Sequence, residues 1–179
     1  MKEQLQKDFD NSIKNLNLSQ KDIEIKKFYL DSFINRGFPN KIEEDWKFSD
    51  LNQIIQKNIG ELSFYSEDIS NNKVDTSIFV DWLEHNKIVF INGRIEKIDF
   101  HYEKKEQIEI IDQSETNNKF DNSNSLSDLN NAFTNKCFKI LVKKGYQLAK
   151  PLIIYHSTNS KIWSKNINLR LDFELDKDS

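Results

Sequence analysis

Cysteine is almost absent from this chain: Cys137 stands alone among 179 residues. One thiol closes no internal disulfide, so a reducing compartment is expected rather than a stapled secreted scaffold. Proline and glycine are scarce, at two and four residues, which excludes a collagen-like or Pro/Gly-rich repeat. Long apolar runs are missing too. Residues 1–10 alternate in charge and offer no apolar segment, and no stretch reads as a signal peptide or a membrane span. There is no basic excess: 26 Lys and Arg face 29 Asp and Glu, for a net charge of −3. Phosphate neutralisation needs such an excess, and the arginines are only Arg36, Arg94 and Arg170. Neither nucleic acid nor membrane is an expected partner, and the cytoplasm is the expected location.

What is present is bulky. Thirteen Phe and three Trp can fill one sizeable core or two small ones, which argues against disorder along the whole chain. Leu5, Phe9, Ile13 and Leu16 recur at helical spacing. A second run carries Ile23, Lys27, Leu30, Phe33 and Ile34, with Gly37 placed to end the helix and Pro39 to prevent its resumption. After a charged stretch around Trp46, Ser49 is the N-cap candidate for a helix bearing Leu51, Ile54, Ile55 and Ile59, closed by Gly60. Residues 62–76 read as a polar loop, and Ile78, Phe79, Trp82 and Leu83 as one or two helical turns.

The sharpest local signal follows. Lys87-Ile-Val-Phe-Ile is β-rich, Asn92-Gly93 is a type I′ turn pair, and Arg94-Ile-Glu-Lys-Ile resumes the strand: a hairpin. Residues 107–111 offer another strand, and residues 115–125 an Asn/Ser-rich linker. Leu126, Leu129 and Phe133 form a short helical face. Beyond it, short strands at 138–142, 152–155 and 167–175 are separated by Gly145, Pro151 and Asn159. Strands so spaced suggest a sandwich, a barrel or a β-solenoid, and periodicity does not choose among them. Three strands are too few for a capped solenoid, so a solenoid reading carries the expectation that the chain is part of a longer one.

No candidate residue stands out as catalytic, cofactor-binding or metal-binding. Cys137, between Lys136 and Phe138, reads as a small core or edge residue rather than a ligand, since cluster and zinc sites need several ligands. His85, His101 and His156 lack metal-ligand spacing. Glu43, Glu44 and Asp45 read as a helical first turn favoured by the dipole. Trp46 and Phe48 read as core or domain-packing residues. Asp172, Glu174 and Asp176 alternate with Leu171, Phe173 and Leu175, which reads as polar outside and apolar inside. A carboxylate row of that kind also motivates an alternative: a carbohydrate-active or carbohydrate-binding β-solenoid.

Three blocks together resemble the SufD family of SUF iron–sulfur cluster assembly scaffolds. The first is Gly37-Phe-Pro-Asn-Lys-Ile-Glu-Glu-Asp-Trp-Lys-Phe-Ser-Asp-Leu: a Pro, an acidic cluster, then Trp, a basic residue, an aromatic and Ser. The second is Ile88-Val-Phe-Ile-Asn-Gly-Arg. The third is Leu129-Asn-Asn-Ala-Phe, followed by Gly145, Leu148, Lys150-Pro151 and the apolar run to Tyr155. Each block is weak alone; their order across most of the chain makes the resemblance specific, although residues 99–124 match nothing in detail. The resemblance implies an α+β chain: a mainly helical N-terminal domain (1–86), a hairpin region and polar linker (87–125), and the opening strands of a right-handed parallel β-helix (126–179). It implies a non-catalytic scaffold subunit that works with a SufB-like scaffold and a SufC-like ATPase. It also implies that the chain stops before the family's cluster-forming and ATPase-binding regions, so no site residue carries over. The parent complex would handle the Fe–S cluster, and no cofactor is expected on this chain. A flavin linked to the SUF scaffold is the one stacking partner to weigh for Trp46 and Phe48.

Overall fold

The structure is a computed structural model that describes residues 2–14, 16, 18–58, 62–64, 76–113, 124–134, 136–158 and 164–177, without the side chains of residues 58 and 113. The chain divides into two units, each assembled from three separate stretches.

The first unit takes Met1–Glu67, Glu115–Asn135 and Ser164–Leu169. Its helices are α1 (Lys2–Lys14), α2 (Gln20–Arg36), α3 (Leu51–Asn58) and α4 (Ser125–Phe133). Leu5 and Phe9 are buried on α1, as their spacing predicts, while Leu16 lies beyond its end. On α2 the buried stripe is Lys26, Tyr29, Leu30 and Phe33, so the packed face is turned by one residue from the predicted one and Lys27 is exposed. Ser19 begins α2 through a capping box: its hydroxyl accepts from the Asp22 N–H at 3.2 Å, and the Asp22 carboxylate accepts from the Ser19 N–H at 3.3 Å. Gly37 ends the helix at φ 73°, where a side chain would be strained, and its N–H donates to Phe33 O at 2.7 Å. The cap of α3 is Asp50 rather than Ser49: Asp50 Oδ1 accepts from the Gln53 N–H at 3.0 Å. Ile59 and Gly60, predicted to finish α3, lie outside the described residues, as does nearly all of the predicted 115–125 linker.

One cluster forms this unit's core: Leu5, Phe9, Tyr29, Leu30, Phe33, Phe38, Phe64, Leu129, Ala132 and Phe133. Its rings meet mostly edge to face, Phe33 on Phe38 at 5.1 Å and Phe9 on Phe133 at 6.1 Å. The segment 62–64 is tied in twice. Phe64 N–H donates to the buried Asp8 carboxylate at 2.8 Å, and Ser63 forms a parallel bridge with Lys165.

The second unit takes Asp68–Ser114, Lys136–Trp163 and Arg170–Ser179. Its strands are β1 (Asn86–Ile91), β2 (Arg94–Asp99), β3 (Ile108–Gln113), β4 (Cys137–Val142), β5 (Leu152–Ser157) and β6 (Arg170–Leu175). They form two three-stranded sheets, ordered β2-β1-β5 and β3-β4-β6. The predicted hairpin is present, with Asn92 at φ 52° and Gly93 at φ 80°, as a type I′ turn requires. A bulge interrupts the β1–β2 ladder between Val89 and Phe90. Phe90 of β1 reaches Phe138 of β4 at 5.9 Å, joining the inner faces of the two sheets. On the other face of β1, Val89 and Ile91 pack with Tyr155, Phe79 and Ile153. The predicted turns at 78–83 reduce to a 3₁₀ turn at Thr76–Ile78.

The architecture is α+β, but the expected right-handed parallel β-helix is overturned. Each sheet is small and mixed, and no closed or solenoid sheet occurs among the described residues. The pairings explain why. A two-residue turn returns its strand antiparallel, so β2 lies antiparallel to β1, and β3 is likewise antiparallel to β4. Among the strands of the described residues, β1–β5 and β4–β6 are the parallel pairs.

Candidate functional site

Residues weighed from the sequence prove to be scattered. Cys137 is buried at the start of β4, and its thiol donates to Asp172 Oδ2 at 3.7 Å. Burial first, then the Asp172 charge, pushes the thiol pKa up against the opposing pull of Arg170. Such a group stays protonated and is a weak nucleophile and metal ligand. His85 is buried between two partners. Its Nδ1 lies 2.6 Å from Leu83 O, which only accepts, so Nδ1 carries the proton; Nε2 then accepts from the Tyr155 hydroxyl at 2.7 Å. Tyr155 in turn accepts from the Val80 N–H at 3.1 Å. His156 stacks on Phe90 at 4.9 Å, and His101 pairs with Asp99 at 2.6 Å. Among the described residues, no group of three His, Cys, Asp or Glu is arranged to hold a metal ion.

Glu43, Glu44 and Asp45 are exposed around a 3₁₀ turn at Glu44–Trp46. Trp46 is half-buried, but Phe48 is 92% exposed, which corrects its reading as a packing residue. On β6 the carboxylates are engaged: Asp172 accepts from Arg170 Nε at 2.7 Å, and Glu174 pairs with Lys139. The alternation expected there is visible in the register, since Leu171, Phe173 and Leu175 align with Phe138, Ile140 and Val142 of β4. The β4 partners are buried, whereas Phe173 and Leu175 are 53% and 64% exposed.

Besides Asp8, three buried charges escaped the sequence reading. Glu103 follows β2 and is 8% exposed. Its carboxylate accepts from Asn86 Nδ2 at 2.6 Å, the Tyr146 hydroxyl at 2.7 Å, and the Ala149 and Lys150 N–H groups, both at 3.1 Å. Burial raises its pKa, but these four donors outweigh burial and leave it below the ordinary glutamate value. Glu103 therefore latches the 146–150 turn, which leads into β5, onto the first residue of β1. Asp128 in α4 is fully buried and accepts from Ser32 Oγ at 2.7 Å and Arg36 at 3.2 Å, joining α4 to α2. Lys26 of α2 is 4% exposed, and its ammonium donates to Thr134 O at 2.5 Å and Asn131 O at 3.5 Å. A cation suits these C-terminal carbonyls of α4, yet burial lowers its pKa to about 8 despite the opposing field of Asp22. Spacing signals none of these three, because their partners lie 17 to 108 residues away.

The second unit also contains a cleft of about 450 Å³. It opens between the edge strands β2 and β3 and the turn joining them. Ile98, Phe100, Ile108 and Ile110 give it apolar walls, and Asp99, His101, Glu103, Lys104 and Lys105 complete the lining. Period-two alternation places Ile108 and Ile110 on one face of β3. The two carboxylates are occupied. Asp99 binds His101 and Lys97, and the His101 hydrogen bond is the main cause of its lowered pKa.

Comparison with known protein families and with curated proteins finds no match to this chain. Among the described residues, no helix is long and apolar enough to cross a membrane.

Proposed function

We propose that this chain is a non-catalytic, SufD-like scaffold component of cytoplasmic iron–sulfur cluster assembly, working beside a SufB-like scaffold and a SufC-like ATPase. The observation that carries this reading is the ordered occurrence of three blocks: Gly37 to Leu51, Ile88 to Arg94, and Leu129 to Tyr155. Each block falls on a defined piece of local structure. The first runs from Gly37, the cap of α2, through the 3₁₀ turn at Glu44–Trp46 to the start of α3. The second is the type I′ hairpin, and the third runs from α4 through β4 to β5. The first block also presents Ile42 and Phe48 at 93% and 92% exposure, which suits a surface that meets a protein partner. A scaffold acts by holding partners and needs no nucleophile of its own. A buried, protonated Cys137 fits that role better than a sulfur-accepting one.

Affinity capture tests the proposal. The complete coding region, tagged and expressed in a cell carrying SUF components, is expected to recover both the SufB-like and SufC-like proteins. Recovery of neither refutes it. The isolated chain, given ferrous iron and sulfide under anaerobic conditions, is expected to develop no chelator-resistant chromophore. A stoichiometric one would overturn the non-catalytic scaffold reading, because the chain would then build a cluster by itself.

A further inference from the structure

The cleft between β2 and β3 has a chemistry that the scaffold reading does not use. Its walls, Ile98, Phe100, Ile108 and Ile110, are apolar, and Ile98 is 48% exposed although it lies opposite the buried Ile88 of β1. An apolar side chain left open beside a recess gains free energy from any apolar body that covers it. The charges lining the cleft are unequally committed. Asp99 is held by His101 and Lys97, and Glu103 is turned toward Asn86, Tyr146 and the 149–150 backbone. Lys104 and Lys105 are exposed, and among the described residues neither ammonium has an ion-pair partner. An apolar recess with two uncommitted cations selects for a ligand with an apolar body and an anionic head. Its volume lies within the ordinary range for small-molecule sites.

We propose that this cleft binds a small amphipathic anion: one aromatic or branched apolar group bearing a carboxylate, sulfonate or phosphate. The body lies between Ile98 and Ile110, and the head group meets Lys104 and Lys105. The proposal is independent of the SUF assignment, since it rests on no partner and no cluster.

The probe is 8-anilinonaphthalene-1-sulfonate, followed by fluorescence titration against the whole chain. One saturable site is expected, weakening as salt rises. Two screened charge contacts are lost and reversed in the double variant Lys104→Glu/Lys105→Glu, so its affinity should fall about tenfold. The uncharged analogue N-phenyl-1-naphthylamine should bind the wild type about tenfold more weakly, for the same reason. Phe173→Ser/Leu175→Ser removes the exposed apolar groups of β6 and should leave the titration unchanged. Amide shift mapping on the unmutated chain needs no variant to fold, and the probe should move residues 98–110. Equal affinity in the double lysine variant, loss of binding on the β6 substitution, equal binding of the uncharged analogue, or shifts confined to other segments would each overturn the proposal.

Discussion

Raising the pH above neutrality should stabilise the first unit, through Lys26. The sign follows from the proton balance. Lys26 titrates at about 8 in the folded chain and near its ordinary 10.5 when unfolded. Between those values the unfolded state holds more protons, so stability increases as pH rises. With the side chain almost fully buried, the gap between those values corresponds to about 3 kcal/mol gained between pH 7.5 and 10.5. Other groups titrate in this window with the opposite sign: Cys137 and Tyr146 both have raised pKa values and favour the folded state less as they ionise. The informative quantity is therefore the difference between the wild type and Lys26→Met, which keeps the stem and removes the proton. Urea unfolding followed by far-UV circular dichroism, repeated across pH 7.5 to 10.5, gives that difference. A ¹³C NMR titration of the Lys26 side chain gives the pKa directly. Parallel pH dependences in the two proteins, or a measured pKa near 10.5, would refute the argument, because either means the ammonium is not desolvated.

The Glu103 latch gives a second expectation. Glu103→Gln replaces an acceptor oxygen by a donor amide facing existing donors, and should cost about 2 to 3 kcal/mol by urea unfolding. Because Glu103 titrates below the ordinary 4.5 in the folded chain, its contribution is present above that value and is lost as pH falls through the folded pKa; the Gln variant should show a correspondingly shallower acid transition. Phe33 is fully buried, so Phe33→Ala should destabilise by about 3 to 5 kcal/mol and lower the thermal midpoint; a change below about 1 kcal/mol would show that the helical core is not formed around it. Gly93→Val places a β-branched residue at φ 80° and should cost about 1 to 3 kcal/mol, read from the same thermal scan.

The parts legible in sequence are those where neighbours along the chain set the conformation. The Asn92-Gly93 turn is one, because both residues tolerate positive φ and no distant partner is needed. The helices are others, since Leu5 and Phe9, or Leu129 and Phe133, share a face by period alone. Boundaries shifted by about a residue where two caps competed, as at Ser49 and Asp50. The packed face of α2 could not be fixed by period alone. Lys26 reads as a surface residue until the carbonyls of Asn131 and Thr134 are found beside it. The candidate cleft was illegible for the same reason: Ile98, Lys104 and Ile110 come together only through the strand pairing that leaves β2 and β3 at the sheet edges.

Cys137 and the missing basic excess show what the chain determines alone: no internal disulfide and no net positive charge for phosphate, whatever the fold. Local periodicity and turn chemistry also determine several helical faces and the hairpin. Tertiary structure decided the rest. It set β5 beside β1 and β6 beside β4, although other strands lie between them in the chain, and that pairing yields two mixed sheets instead of the expected β-helix. It also decided which charges are buried. The physical reason is range: φ preferences and side-chain period act within a few residues, whereas strand pairing and the desolvation of Lys26, Glu103 and Asp128 depend on groups brought together from far along the chain.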